Sequence, residues 1–143
     1  MYNEKIVFYA KNPVNKWKID DFDIEYHEEN RTCWDELTIY LKIKDNIVKH
    51  WSFEWDISVI TTACASIFWE SIIWKEITQV LTLKYDYIED LIWMPISHRR
   101  KAASVLWILT TRNAIHLYLK DWIKNNLEDL LRSNIQNILP FNF

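Results

Sequence analysis

The chain has 143 residues, 50% of them hydrophobic and 26% charged, the make-up of one folded domain with a buried core and not of a disordered chain. A formal net charge of -3 offers no basic field for nucleic acid, and no run approaches the ~18 uncharged apolar residues that a membrane span requires. Two cysteines cannot form a disulfide framework, and the opening MYNEKIVFYAKNP lacks the apolar core of a signal peptide, so a reducing, cytoplasmic setting is expected.

Residues 2–10 have helical spacing and run into Asn12-Pro13, a stop signal. A polar loop to about Asp21 precedes Phe22, Ile24 and Tyr26, which alternate with Asp23 and Glu25 as a half-buried strand does. The clearest strand follows, with Leu37, Ile39, Leu41 and Ile43 alternating with Thr38, Tyr40 and Lys42. Asp45-Asn46 forms a tight turn, and 47–53 returns as a third strand. From Ile57 the period becomes helical: one helix over 57–73, a second over 75–83 and a short third over 85–91. Met94-Pro95-Ile96-Ser97 interrupts, with Ser97 capping a long helix from His98 to about Leu119, and Ile123, Leu127, Leu130, Leu131 and Ile138 mark an amphipathic helix at the end. Strands first and helices afterwards predict an α+β fold: a three-stranded antiparallel sheet over about 22–54, packed against an N-terminal helix and several C-terminal helices, in a single domain over 1–143.

Average usage of about 7% predicts roughly ten glycines, yet there are none, while tryptophan occurs nine times. Trp34 stands in the polar connection 30–35, where a residue able to take positive φ is expected, and Trp74 stands at the end of a helix just before Lys75, where helices usually stop on glycine. Two readings follow: a protein rich in tryptophan as written, or one whose glycines were encoded by UGA and read as tryptophan. On the second, indoles at Trp17, Trp51 and Trp55 enlarge the exposed apolar surface.

Few residues offer chemistry. Trp69 to Lys75 imitates a phosphate-binding loop only if its tryptophans are glycines, and then Glu76 fills the hydroxyl position and no strand precedes it. His27, His50, His98 and His116 are scattered without a motif, as surface or strand histidines. Arg99, Arg100 and Lys101 form a basic cluster at a helix start, either a solvated face or a contact for an acidic partner. Cys33 and Asp35, a thiolate and a carboxylate two residues apart on a turn between strands, can face one metal ion. Cys64, among the small residues of Thr62-Ala63-Cys64-Ala65-Ser66, reads as packing.

The segments together resemble the NifU/IscU-type iron-sulfur cluster assembly scaffold family over essentially the whole chain. Asn12-Pro13-Val14-Asn15-Lys16-Trp17 is similar to its NPxNxG, Asn30 to Asp35 to its N-x-x-CGD, and Phe53-Glu54-Trp55 to its FxG. Ala63 to Ser66 is similar to its ASAS, Trp74-Lys75 to its GK, and Arg99 to Ala103 to its R-x-K-C-A. Four of these motifs carry glycine where this chain has Trp17, Trp34, Trp55 and Trp74. The resemblance implies a sheet-on-helices scaffold, not an enzyme in the usual sense. Such a scaffold takes sulfur from a cysteine desulfurase, assembles a [2Fe-2S] cluster on three cysteines and an aspartate, and passes it to acceptor proteins. Carried over by position, the first cysteine is Cys33 and the aspartate is Asp35, whereas the second and third cysteine positions hold Ser58 and Ala102. A hydroxyl is a poor substitute for thiolate at iron and alanine offers no ligand. Cys64 follows Ser58 by six residues, about 240° around a helix and about 9 Å along it, badly placed as a replacement. The stretch 92–97 lacks the Leu-Pro-Pro-Val-Lys segment with which some members engage a chaperone, and is closer to the SufU-like branch, in which zinc can occupy the ligand site.

The resemblance therefore implies a cluster scaffold or carrier with a degenerate ligand set, partnered by cysteine desulfurase and acceptor proteins and by neither nucleic acid nor membrane. The rival readings are an interaction or regulatory module that has lost metal and works through the sheet and the 99–101 face, and a zinc-binding relative or unrelated enzyme using Cys33, Asp35 and a histidine.

Overall fold

The structure, a computed structural model, describes residues 4–13, 15–30, 35–54, 59–92 and 101–131, with the side chains of residues 5, 30, 35, 59–61, 92 and 102 left out. The element order is α1 (Glu4–Lys11), β1 (Ile24–Asn30), β2 (Asp35–Lys44), β3 (Ile47–Glu54), α2 (Val59–Ile72), α3 (Ile77–Val80), α4 (Tyr85–Ile92), α5 (Lys101–Leu119) and α6 (Leu127–Leu131). The strands form one antiparallel sheet in the order β1-β2-β3, so the fold is the α+β arrangement that the sequence predicts.

Alternation builds the sheet. Leu37, Ile39, Leu41 and Ile43 of β2 point to one face and are buried there with Trp51 and Phe53 of β3. α2 and α5 cover that face with Ala63, Cys64, Phe68, Leu106, Trp107 and Ile108 in one continuous core. α1 packs on α2 and buries Ile6. Trp51 lies 1% exposed, stacked edge-on against Phe68, and donates its indole N–H to Thr111 Oγ1 at 2.7 Å. The expectation that Trp51 adds exposed apolar surface is therefore overturned: on an inward-facing position of β3 it is core. Trp17, at 47% exposure, does lie on the surface, and Trp55 is outside the described residues.

The segment before β1 crosses the outer face. Asp23 N–H donates to the Leu41 carbonyl at 2.7 Å, the Asp23 carboxylate accepts from Ile43 N–H, and Phe22 packs on Tyr40. Asn15, wholly buried, accepts the Phe53 N–H on its carbonyl at 3.1 Å and so covers part of the outer edge of β3. Glu76 bridges to Ile47 at the other end of that edge, where Val48 N–H reaches the Lys75 carbonyl. Both contacts occupy groups that would otherwise present an open strand edge.

Two helices differ from expectation. The helix predicted over 75–83 shrinks to α3, because residues 74–76 pair with β3 and Glu76 begins the helix through a reciprocal capping box with Gln79. The C-terminal helix does not include Ile123; it starts at Leu127, because Arg112 and Asn113 of α5 hold Asn125 in a non-helical segment. Residues 57–58, 93–100 and 132–143, which include the predicted starts of α2 and α5, the Ser97 cap and Ile138, are outside the described residues.

Candidate functional site

Register brings three strand ends together. Asn30, the last residue of β1, pairs with Asp35, the first of β2, and Glu54, the last of β3, pairs with Thr38. The two motif segments carrying Cys33 and Ser58 thus connect to the same end of the sheet. Cys33, Ser58, Arg99 and Arg100 are outside the described residues, and Asp35 and Ala102 are described by backbone alone. Lys101 opens α5, half-buried, with its ammonium 5.0 Å from the Tyr85 ring centroid, so that member of the basic cluster is engaged within the chain.

This sheet end carries acidic groups. Tyr40 donates to Glu54 Oε1 at 2.6 Å, and burial together with that carboxylate raises the phenol's pKa. Glu28, on the helix-facing side of β1, accepts from Asn113 Nδ2 at 2.9 Å. On the opposite side His27, Glu29 and Glu36 place one ligand atom each within 4.8 Å of the others. Sequence reading missed this cluster, because the hairpin register decides it: Glu29 faces Glu36 across the strands while His27 lies two residues along the same face. The available signal was the Ile24–Asn30 alternation, which already set His27 and Glu29 on one side.

The other histidines separate. His50 is an exposed strand residue, as expected, and His98 is outside the described residues. His116, expected at the surface, is 7% exposed in α5 and lies 2.8 Å from Asp121 Oδ2, which holds the Asp121 carboxyl below its ordinary range. Cys64 is fully buried in α2, as its small-residue setting predicts, and burial pushes its thiol up to about 12, which leaves it inert as nucleophile or ligand. Trp69 to Lys75 runs out of a helix and not off a strand, and the chain turns left-handed at Trp74 (φ 76°), the glycine-type position read from the sequence. A groove of ≈ 960 Å³ lined by Lys18, Lys44, Lys49, His50 and Trp74 lies by the Asp45-Asn46 turn, at the opposite end of the sheet from Asp35. Among the described residues no helix is long and apolar enough to cross a membrane.

Comparison with known proteins bears on these strand ends. An iron-sulfur cluster assembly scaffold protein IscU of Thermotoga maritima is 37% identical over 83 residues, 58% of each chain. A zinc-dependent sulfurtransferase SufU of Bacillus subtilis is 31% identical over 83 residues, 58% of this chain and 56% of that one. The chain's matches thus span 56% and 58% of the length of these relatives. Among solved structures, a putative iron-sulfur cluster assembly scaffold protein for the SUF system from Fervidobacterium islandicum shares the fold with a TM-score of 0.71 at 20% identity, over 80% of this chain and 96% of that one. Residues 1–125, from the first helix through the sheet and α5, match the NifU-like N terminal domain as one unit, and the chain belongs to that family.

Proposed function

We propose that the chain, over 1–143, works as a single iron-sulfur cluster assembly scaffold or carrier domain that receives iron and sulfur as cargo, holds a [2Fe-2S] cluster or iron, and passes it on. The observation that carries the reading is the family match across 1–125, which includes both ends of the β1–β2 hairpin on which Cys33 and Asp35 sit. Cys33 supplies thiolate, the ligand that iron-sulfur clusters prefer, and Asp35 supplies a hard oxygen. With Ser58 and Ala102 at the other two positions, the chain supplies two strong ligands, so the remaining ones come from a partner, sulfide or a nearby side chain. The partners are a cysteine desulfurase as sulfur source and apo-proteins as acceptors. The chain acts as a carrier and not as an enzyme with its own turnover; any sulfur-acceptor role falls to Cys33, because Cys64 is buried.

The test is anaerobic reconstitution with ferrous iron and sulfide, followed by metal and sulfide analysis and visible absorption. A cluster-type absorption lost in Cys33→Ser is the expected result. A chain that takes up neither iron nor zinc overturns the reading and leaves a scaffold-shaped interaction module. The zinc-dependent sulfurtransferase among the relatives favours one second reading, a zinc-loaded carrier. Stoichiometric zinc on Cys33 that resists exchange with iron is the outcome that selects it.

A further inference from the structure

We propose that the groove beside the Asp45-Asn46 turn is a nucleotide-binding site, separate from the cysteine-bearing turn. Its volume of ≈ 960 Å³ falls within the roughly 300–1,000 Å³ of small-ligand sites. Two departures from regular structure meet there. Ile43 pairs with Val48 but Lys42 pairs with His50, so Lys49 is the extra residue of a β-bulge. Val48 and Trp51 on either side are buried, whereas Lys49 and His50 both line the groove, the re-aiming of side chains that a bulge allows. Trp74, left-handed at φ 76°, keeps its indole 68% exposed at the groove, with Lys49 Nζ 4.3 Å from the ring centroid. Strain kept for an exposed ring serves no packing, and strained residues gather at ligand sites.

The lining chemistry selects the ligand class. Trp74 and the exposed Trp17 offer flat apolar faces to a ring. Lys42 is neutralised by Asp21 and Asp23, at 3.0 and 3.9 Å. Among the described residues Lys44 and Lys49 meet no carboxylate, and Asp20 and Asp45 meet no cation, although all four line the groove. Unpaired ammonium groups take phosphate oxygens, and unpaired carboxylates accept hydroxyl protons. A ring, hydroxyls and phosphate in one molecule of this size describe a nucleotide: its base on the indoles, its ribose hydroxyls donating to Asp20 or Asp45, its phosphates on Lys44 and Lys49. An acidic peptide would satisfy the lysines but set its own charge against the two carboxylates. The groove lies at the opposite end of the sheet from Asp35, and no thiolate takes part, so this site and the cluster reading stand or fall separately.

The experiment is calorimetry on the full chain with ADP as probe, in EDTA so that no metal bridges the phosphates. One equivalent is expected to bind, with adenosine and pyrophosphate each about tenfold weaker or more. Trp74→Ala should weaken ADP by about tenfold and narrow its advantage over pyrophosphate. Lys44→Ala should weaken ADP severalfold and narrow its advantage over adenosine. Cys33→Ser should bind ADP as the parent does. Trp74 and Lys44 are exposed, so both changes leave the core intact, and a thermal transition no lower than the parent's checks this. ADP affinity unchanged in both variants overturns the proposal. Pyrophosphate bound as tightly as ADP by the parent overturns it as well, and means an adventitious ion only. An acidic peptide that outcompetes ADP assigns the groove to a protein partner instead and overturns it. Glycine found at position 74, by mass spectrometry of the chain made in its own cell, removes the stacking ring and does the same. Each of these outcomes leaves the cluster reading untouched.

Discussion

At Trp74 the backbone turns left-handed (φ 76°) with an indole attached, and Trp122 does the same (φ 65°) while 87% exposed. A side chain in that region costs roughly 1–2 kcal/mol that glycine avoids. At Trp74 the ring offsets part of the cost by receiving Lys49 Nζ at 4.3 Å, a contact worth about 0.5–1 kcal/mol at an exposed site. Trp74→Gly is therefore expected to stabilise the chain by up to about 1 kcal/mol, seen as a higher urea midpoint with unchanged slope. Trp51→Gly should instead cost about 3–5 kcal/mol, because it empties a filled core position. The UGA reading of the tryptophans thus fits Trp74 and Trp122 and not Trp51, and UGG at the Trp74 codon would sink it there. Asp121 gives a pH prediction at the same scale. The His116 hydrogen bond, then the Ile123 N–H, depress its pKa in the folded chain. Its contribution is complete above the unfolded carboxylate range, near pH 4, and is lost as pH falls through the lower folded value. Asp121→Asn should flatten the loss of stability as pH falls below the unfolded carboxylate range, followed by circular dichroism; an acid transition as steep as the parent's would contradict it.

Among the elements, the sheet was legible because one face is buried and the alternation of β2 is strict. Asp45 and Asn46 both take positive φ (55° and 60°), the turn in which those side chains are tolerated and which matches strand twist. The helices were legible as periods but not as boundaries. Nothing in the periodicity of 75–83 reveals that Glu76 bridges to Ile47, and nothing in that of 123–138 reveals that Asn125 is held by Asn113 and Arg112. Such contacts lie between segments far apart in sequence, and a moving window does not reach them. The site divides likewise. Cys33 and Asp35 are adjacent in a motif and were readable, whereas Glu29 and Glu36 become neighbours only once the hairpin register is set.

At the scale of the whole molecule, the two halves of the chain are joined by the shared core and, through α5, by a few long polar ties. Glu28 meets Asn113, 85 residues away, and Trp51 meets Thr111. Arg112, 8% exposed, donates to the Leu83 and Asn125 oxygens, and burial lowers its pKa against the pull of Asp129. The sheet by contrast is three consecutive strands with a two-residue turn between the last two. That difference sets an order of events in time. Strands close in sequence lose little entropy on meeting, so the meander assembles in the rate-limiting barrier, and α5 locks on after it. Leu41→Ala and Leu106→Ala remove comparable buried side chains and should each cost about 2–5 kcal/mol. Stopped-flow measurements should assign most of the first loss to slower refolding and most of the second to faster unfolding. The reverse assignment would mean that the helix nucleates and the sheet follows. In the expected order, the hairpin that bears the cysteine turn is formed before α5 is in place to cover its inner face.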